Sequence, residues 1–205
     1  MAQSPPTHGT RVRRALVVLV FAALALVPRC AHAKRVWVTE RWDLAAPPQA
    51  ILDSMMQFED TCERGCKHQI PRLVKTVVLP YERRPDDFYV WMFIEDIQDA
   101  KWFSHVTVRR SGSRTKVVIQ MVSPSLAARL EKTTGLEDDP AFDECFTVYD
   151  LETVVAGAGP PRTRLTFTSL ISLSGLAAFF GSGIAHGRLE EAAHAVHRDL
   201  AGVKP

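Results

Sequence analysis

Two periodicities divide the chain. Apolar residues recur with a period of two, or run nearly unbroken, over residues 36–44, 73–81, 88–97, 101–110, 114–123, 144–155 and 162–174, and these segments are rich in β-branched and aromatic side chains. They read as strands. The first, VWVTERWDL, is stopped by Pro47-Pro48. Between the later strands stand short turn signals: Pro85 within 82–87, Ser111-Gly112-Ser113, and two glycines and two prolines in 157–161. Strands in series with short links predict an antiparallel meander.

Elsewhere the spacing shifts to three and four. Ile51, Leu52, Met55, Met56 and Phe58 predict a helix over 48–60, with Pro48 in its first turn. A second short helical piece is expected over 61–67, bounded by Gly65 and Pro71. The 124–143 segment carries an amphipathic turn around Leu126, Ala127 and Leu130, then an acidic loop. Twenty residues between two strands are more than a hairpin needs. The chain ends in a long helix over 175–202. Its first half is small and apolar almost all round; its second half has Leu189, Ala193, Val196 and Leu200 on one stripe. Gly181, Gly183 and Gly187 inside it invite a kink or a close approach.

The first 33 residues have a different texture. Arg11, Arg13 and Arg14 precede thirteen apolar residues, 15–27, and Ala31-His32-Ala33 places small residues where a signal peptidase reads. This is the pattern of a cleaved secretory signal over 1–33, leaving a single domain over 34–205 and an exported protein, periplasmic or secreted. The alternative is a retained anchor, but thirteen helical residues rise only ~20 Å against a hydrocarbon core of ~30 Å. Lipidation at Cys30 is disfavoured, because Arg29 directly before it is not small.

Cleavage changes the charge balance. It removes four arginines and no acid, so 25 basic against 23 acidic side chains become 21 against 23. That gives no bulk attraction to nucleic acid. It also leaves Cys62, Cys66 and Cys145 as disulfide candidates, enough for one bridge and one spare thiol in an oxidising compartment. Cys62 and Cys66 would be strained partners within a continuous helix; Gly65 can end the helix between them. With His68 they lack a recognised zinc spacing and a fourth ligand, so no metal is assigned.

Hydrophobic residues make up 46% of the chain and charged ones 23%, ordinary usage for a packed domain. There is no phosphate loop, no G-x-S-x-G elbow, no H-E-x-x-H and no cofactor motif, so neither a reaction nor a cofactor is named. His105, mid-strand, is a polar cavity contact or a general base, or else an ordinary hydrogen-bonded strand residue. His186, His194 and His197 read as surface or boundary residues of the last helix. Asp150 and Glu152 read as part of a solvated sheet face, in reach of Arg109, Arg162 or Arg164.

The order strand, helix, short helix, six strands, long helix resembles the helix-grip fold of the START-like superfamily, which includes polyketide cyclases, coenzyme Q-binding proteins and lipid-transfer START domains. The supporting texture is Phe88-Tyr89-Val90-Trp91-Met92-Phe93-Ile94 followed by Trp102-Phe103-Ser104-His105-Val106, and the helix beginning after Ser174. The resemblance implies an α+β fold: a curved antiparallel sheet of about seven strands wrapped around the C-terminal helix, with an apolar cavity between them. It also implies that 124–143 is a mobile lid presenting Leu126 and Leu130.

The 88–94 strand is apolar on both faces, so both need cover, one of them from protein and the other from protein or ligand. The expected ligand contacts are Trp91, Phe93 and His105 on strands and Ala178, Gly181 and Ile184 on the last helix. Register is the weak point, since a one-residue slip exchanges Trp91 for Met92. The expected partner is a hydrophobic small molecule such as a lipid or isoprenoid, held by a monomer with transient membrane contact. The rivals are an enzyme on the same fold, a cyclase or hydrolase using His105, Tyr149 or Tyr89 as acid or base, and a scaffold whose core is filled.

Overall fold

The computed structural model describes residues 33–96, 99–154 and 162–204, with residues 176, 179 and 180 described by their backbone alone. The expected signal segment and the 157–161 turn lie outside the described residues.

β1 (Lys34–Leu44) is followed by α1 (Pro48–Met55), a 3-10 turn (Phe58–Asp60) and two short strands, β2 (Thr61–Cys62) and β3 (His68–Gln69). Then come β4 (Leu73–Val78), β5 (Asp87–Ile94), β6 (Ala100–Ser111) and β7 (Arg114–Met121). α2 (Pro124–Thr134), β8 (Glu144–Val154), β9 (Arg162–Leu173), α3 (Gly175–Phe180) and α4 (Ser182–Ala201) complete the chain. Seven of the strands form one antiparallel sheet in the order β1-β9-β8-β7-β6-β5-β4. The last strand thus pairs with the first, while each remaining neighbour follows in sequence.

The inner face of this sheet is set by the period of two. Phe88 and Val90 on β5, Val106 and Val108 on β6, Val117 on β7, Leu151 on β8 and Leu165 on β9 are buried together. Ile51 and Leu52 of α1 and Val196 and Leu200 of α4 close over them. Pro48 occupies the first turn of α1, where its missing N–H costs nothing.

Two expected helices are corrected. Residues 61–67 do not form a helix: they are a bridged turn between β2 and β3, held by a Cys62–Cys66 disulfide with Cα atoms 5.5 Å apart. Gly65 sits at φ +79°, a left-handed conformation that breaks any helix through it. The C-terminal helix is not continuous either, being interrupted at Gly181. A Cβ there would lie 2.7 Å from the carbonyl oxygen of Ala177, so this position requires glycine.

The 124–143 link is corrected in place. Its helix α2 packs on the outer face of the sheet, away from α4. Leu130 is fully buried there with Ala127, Leu79, Trp91, Phe103 and Val122, and half-buried Leu126 packs against the same cluster. Leu126 and Leu130 therefore stand as core, not as a lid over the inner face. This accounts for the doubly apolar β5: α2 covers one face and the main core and α4 side the other.

Candidate functional site

Between the inner face of the sheet and α4 lies a cavity of about 400 Å³. Its walls are Met92 and Ile94 of β5, Ala100 and Trp102 of β6, Phe167, Ile171 and Leu173 of β9, and Ile184, Ala185, Leu189, Ala192 and Val196 of α4. The small residues of α4 leave the space open. Phe142, from the end of the 124–143 link, stands edge-on to Trp102 with ring centroids 5.1 Å apart. A smaller chamber of about 70 Å³ adjoins it, bounded by Ser54 and Met55 of α1, His68 of β3, Val117 of β7 and Asp199 and Leu200 of α4. Phe58, Thr61, Ile70, Ile119, Tyr149 and Val196 line both spaces.

Polar groups are few and mostly satisfied. Thr147 and Ser169 share a hydrogen bond of 2.9 Å between their hydroxyls. In the small chamber His68 Nδ1 meets Asp199 Oδ2 at 2.5 Å and Nε2 meets Gln57 Oε1 at 3.2 Å. His68 is buried, and this contact fastens the C-terminal end of α4 to the disulfide-braced turn. Tyr149 packs its ring edge-on to Phe167 at 5.3 Å. Burial, reinforced by neighbouring Cys145, raises its phenol above the ordinary range, so it stays protonated. Burial likewise pushes the Cys145 thiol up to about 12, with Glu144 adding to the shift.

A charged cluster stands at the rim between β4, β5 and α4. Arg188 donates from Nε and Nη2 to both oxygens of Asp96, at 2.8 and 3.0 Å, a two-pronged pairing that fixes orientation. Arg72 Nη1 donates to Glu191 Oε2 at 2.5 Å and lies 3.6 Å from Asp96 through Nε. Arg72, Asp96 and Arg188 all border the large cavity.

Of the six expected ligand contacts, the structure brings two to this cavity, Gly181 and Ile184. Ala178 packs instead with Val36, Leu173 and Ala185. Trp91, Phe93 and His105 point the other way, because β5 and β6 pair with Met92 opposite Trp102 and Ile94 opposite Ala100 on the inner side. On the outer face Trp91 Nε1 donates to the Glu137 carbonyl at 2.8 Å, and Lys101 Nζ lies 5.3 Å from the Phe93 ring centroid. His105 stacks on Tyr89 at 4.7 Å and pairs through Nε2 with Asp87 at 2.6 Å.

Of the three disulfide candidates, Cys62 and Cys66 are joined and Cys145 is free on the cavity wall. Sequence reasoning missed the His68–Asp199 pair, whose members are 131 residues apart. Spacing carries no signal for such a contact. It also missed Met92, Ile94 and Trp102 as wall residues, for want of one residue of register.

No protein-family model matches the sequence, and no curated protein matches it. Solved structures do. A START superfamily protein from Mycobacterium smegmatis superposes with a TM-score of 0.50 at 15% identity, covering 82% of this chain and 99% of that one. The di-domain ARO/CYC StfQ of the steffimycin biosynthetic pathway gives 0.55 at 12% identity, covering 98% of this chain and 61% of that one. Human STARD10 gives 0.51 at 11% identity, covering 79% and 63%. At these identities the likeness speaks to the fold, and the chain has the START-like helix-grip fold.

Proposed function

We propose that this protein is an exported carrier that holds an apolar small molecule, such as a lipid or isoprenoid, between its sheet and α4. The observation that carries the reading is the cavity of about 400 Å³ with aliphatic and aromatic walls. That size falls within the ~300–1,000 Å³ typical of small-molecule pockets, and the predominance of apolar lining is typical too. Each methylene buried there contributes ~0.8 kcal/mol, so micromolar binding, worth about 8 kcal/mol over an association cost of at least ~4 kcal/mol, asks for roughly fifteen such groups.

The compartment is part of the proposal. It rests on the signal pattern of residues 1–33, and the Cys62–Cys66 bridge suits an oxidising environment. Apolar molecules cross an aqueous compartment poorly unaided, which gives an exported carrier its task. The carrier would act as a monomer that touches membranes transiently and has no nucleic-acid role.

A second reading, an enzyme on the same fold, draws on the His68–Asp199 pair beside Tyr149 in the small chamber. Those groups are of the kind that move protons. Native mass spectrometry of protein made with its own first 33 residues and recovered from outside the cytoplasm tests both readings and the export. A co-purified apolar molecule, unchanged on incubation, supports the carrier. Conversion of the bound molecule, lost in His68→Ala, supports the enzyme. Protein that keeps residues 1–33 on a membrane rejects cleaved export.

A further inference from the structure

We propose that the small chamber is an end-group site, selecting apolar molecules that terminate in one uncharged hydrogen-bonding group, a hydroxyl or carbonyl. The inference rests on the carrier reading and names the class of ligand for the same cavity.

The case begins with an accounting of polar atoms. Thr147 and Ser169 satisfy each other, Thr61 donates to the Gln57 carbonyl at 3.0 Å, and Thr76 reaches the Thr61 carbonyl at 3.4 Å. Two hydroxyls on the chamber wall have no such partner among the described residues: Ser54 Oγ and Tyr149 Oη. Ser54 is buried, and Tyr149 lies at the junction of the two spaces. Among the described residues no side-chain oxygen or nitrogen sealed off from all space lacks a partner, so these two hydroxyls touch accessible space, and both residues line the chamber. Unpaired hydroxyls in an apolar cavity are costly, and a ligand group that pairs with them is favoured over one that leaves them bare.

Charge and size restrict the group. The ionisable side chains on this chamber, His68 and Asp199, are closed on each other at 2.5 Å, and the far ring nitrogen of His68 faces Gln57. Among the described residues lining this chamber, no cation is left to pair with an anionic head and no carboxylate with a cationic one. A space of about 70 Å³ admits a small end group of a few atoms. The body of the molecule then occupies the larger, apolar space, and Tyr149 meets it where the two join. Tyr149 and Ser54 each give and accept a hydrogen bond, so hydroxyl and carbonyl ends both fit.

The test uses the purified protein and N-phenylnaphthylamine, a neutral fluorescent probe for apolar cavities, displaced in turn by dodecanol, dodecane and dodecanoate. Dodecanol is expected to compete at roughly three- to tenfold lower concentration than either of the others, the factor one net hydrogen bond supplies. Tyr149→Phe, which keeps the ring against Phe167, should abolish that preference, with dodecanol falling to the level of dodecane in the same variant. Ser54→Ala is the second variant should the first fail to fold. Equal competition by dodecanol and dodecane in the unmodified protein overturns the inference, as does a preference that survives both substitutions. If the dye itself is not taken up, the carrier reading fails first and this inference falls with it.

Discussion

Leucine at position 192 should stabilise the protein, whereas leucine one residue later should destabilise it. Ala192 lines the open cavity. Ala193 is fully buried and packs against Val38 and Phe167. Each substitution adds three carbons to α4. At 192 they enter free volume, and at ~0.8 kcal/mol per buried carbon group the gain is at most about 2 kcal/mol. At 193 no volume exists, and overpacking of this kind costs ~1–3 kcal/mol. The two variants should therefore differ by up to roughly 3–5 kcal/mol. In a chain of this size that is a melting-temperature gap of roughly 6–20 °C, at about 2–4 °C per kcal/mol. Calorimetry on the unmodified protein and both variants measures the gap. Dye uptake should fall in Ala192→Leu and persist in Ala193→Leu wherever the latter remains folded. Equal destabilisation by both substitutions would refute an open cavity and return the molecule to a filled scaffold. Gly181 is unsuitable for the same purpose, because any side chain there strikes the Ala177 carbonyl before it reaches the cavity.

Other outcomes follow from the same geometry. Leu130→Ala should cost ~2.7–5 kcal/mol in urea titration, the range for emptying a filled core site; a loss within about 0.5 kcal/mol would restore the mobile-lid view of α2. Reducing the Cys62–Cys66 bridge should lower stability by about 2 kcal/mol, since the closed loop is short and chain-entropy gain grows with loop length. The Cys145 thiol, raised from 9.0 to about 12 by burial, binds its proton more tightly folded than unfolded. Stability should thus fall as pH rises above about 9 and go on falling towards about 12, and Cys145→Ala should flatten part of that loss. Iodoacetamide should label Cys145 very slowly at pH 8 in the folded protein, because the thiolate is the reactive form.

The strands were legible because alternation and turn residues agree, as at Ser111-Gly112-Ser113, which joins β6 to β7. Two local errors have distinct causes. Residues 61–67 have helical spacing, but a covalent bridge and the left-handed Gly65 override so weak a preference. The aromatic run Tyr89, Trp91 and Phe93 looked like a ligand wall because its cover, α2, is recruited from some 35 residues downstream, and local pattern does not say which face a distant helix will take. Choosing between Trp91 and Met92 needed strand parity, which reverses with a single residue of slip. The polar end of the cavity was hidden more deeply. Tyr149 had stood out as an acid–base candidate, but Ser54 and the His68–Asp199 pair acquire their meaning only when α1, β3 and α4 converge.

The pairing of the first strand with the last also dictates an order of assembly. Partners in the β1–β9 ladder run from Lys34 with Leu173 to Leu44 with Thr163, at least 119 residues apart. A chain made from its N-terminus must keep β1 unpaired until nearly all else has emerged, and closing so long a loop is a slow entropic step. Through that interval Val36, Val38 and Leu44 lack both β9 and the α4 helix that packs on β1, a state prone to adventitious pairing. The ligand space, walled by β9 and α4, does not exist before this closure. Any molecule held there would thus be taken on only by a finished fold, and a polypeptide threaded unfolded through a membrane would arrive on the far side empty.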